Sequence, residues 1–220
     1  MNNNFSYLLI ALLLFIFGVP VASNLDLISL QMSRVLGASS LLAVGVWSLR
    51  GAGRLYSAGM LVAITGIVLS ILSVVRESDM LHVITLLAMF VFLLLATINA
   101  FRQIAVGNDI SLNRIVGAVC VYLLLGVMWS IAYTVLEYMQ PNSFKGLTEL
   151  VSPAWSLDWI YFSFVTITTL GYGDITPITQ TARSLAVAEA IVGQFYIAVL
   201  VAGLVSAYIS SKRDSNDRDL

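Results

Sequence analysis

Charged residues are scarce in this sequence, and their scarcity excludes most soluble proteins. Only 10% of the 220 residues are charged, whereas a soluble domain normally carries about 25%. The formal net charge of −1 also gives no reason to expect a nucleic acid as a partner. The composition therefore places the chain in the membrane class before any motif is considered.

Cysteine and histidine are almost absent, with one residue of each. Cys120 lies inside an apolar run, so the subunit cannot contain a disulfide framework, and a small buried side chain is the simplest role for it. One cysteine and one histidine also provide too few ligands for a soft-metal site. We therefore expect no cofactor.

Apolar residues are abundant and make up 59% of the chain. A helix needs roughly 20 mostly apolar residues to cross the bilayer core. Arg34 lies within one of the runs, and we interpret it as snorkelling toward an interface. The first run could alternatively be a secretory signal peptide, although no lysine or arginine precedes it. The sequence predicts membrane spans at Phe5–Ala22, Leu27–Leu49, Leu55–Val75, Met80–Phe101, Ile115–Leu136 and Ser184–Ser211.

The basic residues predict the orientation of these spans. They concentrate in alternate connections, which is typical of the cytoplasmic side. The connections on the opposite side are acidic or mixed in charge. We therefore expect both termini in the cytoplasm and the segment between the fifth and sixth spans outside. The basic residues of the predicted cytoplasmic side are Arg50, Arg54, Arg102, Arg114, Lys212 and Arg213.

The outer segment contains an apolar stretch that is too short to cross the bilayer. After Ser152 and Pro153, residues 155–165 are mostly aromatic and apolar, enough for about three turns of helix. Ser152 can cap such a helix, with Pro153 at its first position. A short apolar helix between two spans is typical of a re-entrant segment.

This helix leads into the strongest motif of the sequence, Thr-Ile-Thr-Thr-Leu-Gly-Tyr-Gly-Asp at 166–174. Successive backbone carbonyls can all point to the same side only if φ is positive at alternate positions. Gly171 and Gly173 adopt positive φ without steric cost. Here the chain resembles the tetrameric potassium channels, whose selectivity filter has the pattern Thr-Val-Gly-Tyr-Gly. The resemblance covers about Ile115 to Ser211.

The resemblance implies an all-α membrane protein with six transmembrane helices, a re-entrant pore helix and a selectivity filter in a fourfold-symmetric channel. It implies passive, potassium-selective conduction by a homotetramer in the plasma (inner) membrane, with lipid and K⁺ as partners and no enzymatic activity. The Thr169 hydroxyl would close the innermost ion site. The implied filter residues are Thr169, Leu170, Gly171, Tyr172 and Gly173, of which the first four would offer their carbonyls to K⁺.

Two positions depart from the family pattern. Leu170 replaces the usual valine, a conservative change because only its carbonyl would meet the ion. Val165 stands where some family members carry a glutamate that braces the filter. We therefore expect Asp174 and Tyr161 to supply the bracing hydrogen bond, with Thr168 also supporting the filter.

Glu189 is the one acidic residue well inside a predicted span. A charge there costs about 2.5–3.5 kcal/mol on insertion scales, so Glu189 requires a partner or a proton. Hydrogen bonding to the pore helix behind the filter is the interpretation that we favour. A proton sensor for gating is the alternative.

The resemblance continues into the last span, where Pro177 and Arg183 match the family. Gly193 lies at the glycine where inner helices of this family bend, and it implies a hinge. From that glycine, a stripe at i+4 spacing is implied to line the inner pore, with a helix-packing face as the alternative. The stripe consists of Ile197, Val201, Val205 and Ile209.

The polar break around 107–109 divides the chain. We expect a four-helix transmembrane domain without gating arginines at 1–108, a pore domain at 109–211 and a short polar cytoplasmic tail at 212–220.

Three other functions compete with potassium conduction. The nearest are a non-selective cation channel and a non-conducting regulatory channel subunit. The Gly-x-Gly-Asp pattern at 171–174 also fits an intramembrane aspartyl protease, but such enzymes need a second membrane-embedded aspartate. Every other aspartate of the sequence falls in a predicted loop, helix end or tail, so the protease is the most distant alternative.

We predict that this chain has no steep voltage gating. The fourth predicted span, Met80–Phe101, contains no arginine or lysine before its end, and each charge moved through 100 mV supplies only about 2.3 kcal/mol. Gating currents should show far less than one elementary charge per subunit. A gating charge of several elementary units would contradict the prediction.

Overall fold

The computed structural model describes residues 4–24, 54–76, 79–105, 112–147, 157–203 and 205–206. Within these ranges the chain is almost entirely helical, which agrees with the predicted all-α class. The elements are α1 (Asn4–Leu13), the π-helical π1 (Leu14–Gly18), α2 (Val19–Asn24), α3 (Arg54–Arg76), α4 (Asp79–Ala105), α5 (Leu112–Met139), β1 (Phe144–Lys145), α6 (Leu157–Ile167), β2 (Thr176–Pro177), α7 (Gln180–Phe195) and the π-helical π2 (Tyr196–Val201). The two short strands occur beside the carboxyl end of α5, which is called the outer end here after the orientation predicted from the sequence.

Four segments of the described chain are long and apolar enough to cross a membrane. They correspond to the first, fourth, fifth and sixth predicted spans. The third predicted span is a helix of 23 residues, α3, whose apolar part is the shorter Gly59–Leu72. The second, Leu27–Leu49, lies outside the described residues, so the count of six stays a prediction. The four segments are Phe5–Ala22, Met80–Ile104, Leu112–Met139 and Gln180–Val199.

The outward faces of the peripheral helices are apolar. Leu61, Ile64 and Val68 recur on one face of α3, and each is more than half exposed. A soluble protein rarely leaves such a continuous apolar surface open. These faces match the acyl chains of a bilayer, so the protein is an integral membrane protein.

Helix α5 is the centre of the packing. Its 28 residues span about 42 Å, and it contacts α1, α4, α6, α7 and π2. Buried side chains line it along its length, including Val121, Leu124 and Ile131. At Gly126, the position of a Cβ atom would lie 2.7 Å from the Phe164 ring of α6. Glycine at this position therefore lets α6 approach the middle of α5.

An aromatic cluster fills the outer end of the fold. It joins α5, β1 and α6 through edge-on ring contacts with centroid separations of 4.9–5.5 Å. Such pairs stabilise by about 0.5–1.5 kcal/mol beyond their buried area. The cluster consists of Tyr133, Phe144, Trp159 and Phe162.

The connection after α5 is tied to the chain that follows residue 174. Strands β1 and β2 pair antiparallel, with Phe144 opposite Pro177 and Lys145 opposite Thr176. The Ser143 carbonyl accepts from Ile178 N at 2.7 Å. The outer strand pair therefore holds the segment behind residue 174 against the end of α5.

A carboxylate closes the turn between α5 and β1. Glu137 Oε1 accepts from Asn142 N at 2.8 Å, and Oε2 accepts from Ser143 N at 2.9 Å. Asn142 has a φ of 66°, a conformation that asparagine tolerates better than most residues. The turn thus positions Ser143 for its bond across the strand pair.

We predict that Gly146→Ala destabilises the protein. Gly146 has a φ of +93°, and an added Cβ would lie 1.8 Å from the Asp174 carbonyl oxygen. Strain in both backbones should lower stability by about 1–3 kcal/mol. Thermal unfolding in detergent should show a lower Tm than for Gly18→Ala, where the added Cβ lies 3.9 Å from its nearest neighbour. Equal Tm values would contradict the close approach.

Candidate functional site

Helix α6 is too short to span the bilayer. Its 11 residues extend about 16 Å, and it packs between α5 and α7. The predicted cap at Ser152 and Pro153 lies outside the described residues, and the described helix begins at Leu157. Its carboxyl end leads directly into the Thr-Leu-Gly-Tyr-Gly segment.

The chain turns sharply where α6 ends. Leu170 N and Gly171 N both donate to the Val165 carbonyl, at 2.9 and 3.2 Å, and Thr169 N donates to Thr166 O at 2.9 Å. Terminal carbonyls of a helix need such partners because no further turn supplies them. The end of α6 therefore fixes the start of the segment at 169–173.

Positive φ alternates with ordinary backbone along this segment. Thr169, Gly171 and Gly173 have φ values of 60°, 56° and 80°. The sequence predicted the two glycines, and neither has an atom within 4 Å of an added Cβ. Their backbone conformation, not crowding, thus explains the need for glycine within this chain.

The positive φ at Thr169 was not predicted from the sequence, although Thr169 was predicted as a filter residue. A β-branched residue at positive φ is an outlier and costs of order 1–3 kcal/mol. Residue type gave no signal for this conformation. The only sequence clue is the spacing, because Thr169 lies two residues before Gly171, as Gly171 lies two before Gly173.

The outer part of the segment is braced from α6. The Tyr161 hydroxyl donates to Asp174 Oδ2 at 2.5 Å, the bond expected from the sequence. The hydrogen bond from Tyr161 lowers the pKa of Asp174 below its usual range. The rings of Tyr161 and Tyr172 are parallel within 9°, with centroids 6.5 Å apart. Two contacts thus connect α6 to the far end of the segment.

Thr168 supports the segment locally. Its hydroxyl donates to the Phe164 carbonyl at 2.5 Å, and its amide donates to the same oxygen at 3.2 Å. Thr168 thereby extends α6 by a partial turn, and its hydroxyl is hydrogen-bonded to the helix backbone.

Glu189 is fully buried where three helices meet. Its Oε1 lies 2.5 Å from Ser163 Oγ of α6, and the Tyr133 hydroxyl of α5 donates to Oε2. The contact with α6 is the one that the sequence analysis favoured. Tyr133 was missed, although a tyrosine within an apolar span offers a hydroxyl that must find a partner.

Gly193 contacts the end of α6. An added Cβ would lie 2.5 Å from the Ile167 carbonyl oxygen and 2.6 Å from Ile167 Cγ1. Close packing of α7 against α6 is therefore sufficient reason for glycine here. The predicted hinge at this glycine stays a prediction.

The predicted i+4 stripe begins inside π2. A π-helix bonds residue i to i+5, and Ala202 N accordingly donates to Ile197 O. The α-helical register assumed for the stripe therefore does not hold through this segment. Ile197 and Val205 are exposed, the side chain of Val201 is not described, and Ile209 lies outside the described residues.

Three further polar side chains were missed by sequence reasoning. Gln194 Nε2 donates to Thr169 Oγ1 at 3.3 Å, the Tyr122 hydroxyl donates to Ile167 O at 3.1 Å, and Tyr196 donates to Ala118 O at 2.8 Å. Each is a polar residue inside an apolar run, which is the signal that could have identified it.

Comparison with known proteins supports the assignment to channels. Residues 121–210 match a family model described as "Ion channel", a region that includes most of α5 and all of α6, the segment at 169–173 and α7. Two pore potassium channel c of Oryza sativa subsp. japonica is 34% identical over 85 residues. Two pore potassium channel a of the same plant is 34% identical over 102 residues, and two-pore potassium channel 3 of Arabidopsis thaliana is 37% identical over 59.

These matches cover 39%, 46% and 27% of this chain, but only 17%, 26% and 13% of the relatives' own lengths. A comparison with solved structures found no match. The similarity to ion channels thus covers α6, the segment at 169–173 and α7. The family match and these relatives support a potassium channel family for the chain.

We predict that Gly193→Ala lowers stability. A methyl group would push α7 away from the end of α6, at a cost of about 1–3 kcal/mol for overpacking. If the glycine were needed only for flexibility, Gly193→Ala would raise stability, because alanine is more stable than glycine in a helix interior by about 0.5–1 kcal/mol. The sign of the Tm change in detergent separates the two roles, with Gly18→Ala as the control.

Proposed function

We propose that four copies of this chain form a potassium-selective channel in the plasma (inner) membrane. The observation that carries the proposal is the alternation of positive φ at Thr169, Gly171 and Gly173. Alternating backbone handedness turns successive carbonyls toward one side, where they can replace the water around a bare K⁺ ion. K⁺ is the permeant ion, and no cofactor takes part.

The number of copies follows from the number of filter segments. A ring of carbonyls needs four walls, and the sequence contains one Thr-x-Gly-Tyr-Gly segment. The relatives are named two-pore channels, and the proposal of four copies applies to a chain with the single segment at 169–173. Four identical copies around one axis close the ring by cyclic symmetry.

Helix α6 favours a cation at the inner end of the filter. Its carboxyl end lies at Ile167, two residues before Thr169, and a helix carries a partial negative charge at that end. The Thr169 hydroxyl closes the innermost site, and Gln194 places an amide 3.3 Å from it. Both groups lie on the cavity side in the proposed assembly.

The contacts that brace the filter favour a K⁺-selective channel over a non-selective cation channel. A filter discriminates by the number and spacing of its oxygens, so its width must be held. The Tyr161–Asp174 hydrogen bond and the parallel rings of Tyr161 and Tyr172 connect the outer filter to α6. Tyr172 thus belongs to the scaffold, while its carbonyl faces the ion.

The remaining parts take the roles implied by the sequence. Residues 1–108 form a supporting transmembrane domain, 109–211 the pore domain and 212–220 a cytoplasmic tail, with both termini in the cytoplasm. The inner pore is lined by the segment from Ile197 to Ile209, in the register that π2 imposes.

Flux into liposomes tests the proposal. Reconstituted protein should admit K⁺ down a potassium gradient, should not admit Na⁺ down a sodium gradient, and should be blocked by Ba²⁺. Gly171→Ala should lose at least about tenfold in selective flux, because a side chain at a φ of 56° is strained. Gly18→Ala should retain it. Sodium flux equal to potassium flux, or full selectivity in Gly171→Ala, would contradict the assignment of residues 169–173 as the selectivity filter.

A further inference from the structure

Glu189 lies in the membrane-spanning helix α7 without contact to water, with none of its surface exposed. The groups that contact its two oxygens are the hydroxyls of Ser163 and Tyr133, not cations. An ionised carboxylate in such surroundings loses its hydration without gaining a counter-charge. The chemistry of its neighbours therefore disfavours the charged form.

The hydrogen atoms available at Ser163 decide the protonation state. Ser163 Oγ lies 2.7 Å from the Gly126 carbonyl oxygen and 2.5 Å from Glu189 Oε1. A hydroxyl carries one hydrogen, and a carbonyl oxygen only accepts. The Ser163 hydrogen is therefore used at Gly126, and the hydrogen between Ser163 and Glu189 must come from Glu189.

The second carboxyl oxygen is satisfied from α5. The Tyr133 hydroxyl donates to Glu189 Oε2, which therefore acts as the acceptor of the acid. Tyr133 and Tyr122, both on α5, are the titratable side chains that face Glu189 within the described residues, and α6 contributes Ser163. When the Glu189 carboxyl group carries one proton, each of its two oxygens therefore has a hydrogen-bond partner.

We propose that Glu189 is held as a neutral carboxylic acid and that its proton completes the connection between α7, α6 and α5 behind the filter. Loss of the proton would leave Ser163 with one hydrogen for two acceptors and would place a charge in an apolar interior. The bond between α7 and α6 would then weaken. Its consequence for conduction rests on the proposed function, whereas the protonation state does not.

Infrared spectroscopy tests the protonation state directly. The difference spectrum between the full-length protein and Glu189→Gln, recorded in detergent at neutral pH, should contain the C=O stretch of a neutral carboxylic acid. A difference spectrum with carboxylate bands alone would overturn the proposal. Conduction plays no part in this readout, so an absence of potassium flux would count against the proposed function only.

Matched variants test the positioning role. Glu189→Gln keeps one donor for Ser163 and one acceptor for Tyr133, and its flux in liposomes should stay within about twofold of wild type. Glu189→Leu leaves both hydroxyls without their buried partner, and its flux should fall about tenfold or more. Equal losses in the two variants, or no loss in Glu189→Leu, would contradict the role of the hydrogen bonds.

The pH profile links the two readouts. If the acid band disappears as pH rises, the flux of the wild type should fall in parallel, while the flux of Glu189→Gln stays constant. A band that persists should accompany unchanged flux in both proteins. Loss of the band with undiminished flux would overturn the link between the proton and the filter.

Discussion

The structure depends on holding a short backbone segment in a conformation that it would not adopt alone. In the proposed filter the carbonyl dipoles would point to one side and repel each other, and positive φ at Thr169, Gly171 and Gly173 is the backbone feature that would keep them aligned. Two glycines remove most of the steric cost, but the threonine does not. The surrounding helices must therefore supply the rest of the stabilisation.

That stabilisation reaches the segment from both of its ends. At the inner end, the Val165 carbonyl accepts two amide hydrogens from the turn that follows α6. At the outer end, Asp174 accepts from Tyr161, and the outer strand pair holds the chain that follows. Helix α6 takes part at both ends, so its own position between α5 and α7 controls the geometry of the segment.

Much of this arrangement could be predicted from the sequence because it depends on residue type. The motif at 166–174 identified the segment, and the departure from the family pattern at Val165 led to the expectation of the Tyr161–Asp174 bond. Contacts between distant helices could not be predicted in the same way. The meeting of Tyr133 and Ser163 at Glu189 depends on how far three helices slide and rotate against one another. A single sequence indicates that Glu189 needs partners but not which hydroxyls supply them.

The backbone of the last helix, α7 and π2, likewise could not be predicted fully from the sequence. The i+4 stripe implied by the family resemblance assumed α-helical hydrogen bonding after Gly193, whereas π2 has one more residue in each hydrogen-bonded turn, which leaves no mark in composition. Its position is nevertheless physically reasonable. Glu189 and Gly193 fix α7 against α6, and Tyr196 then donates to Ala118 of α5. A bend at Gly193 would have to break its contact with Ile167, whereas π2 begins three residues later, at Tyr196. Close packing at Gly193 and altered hydrogen bonding in π2 are therefore separate features of this helix, the first fixing its position against α6 and the second changing its register.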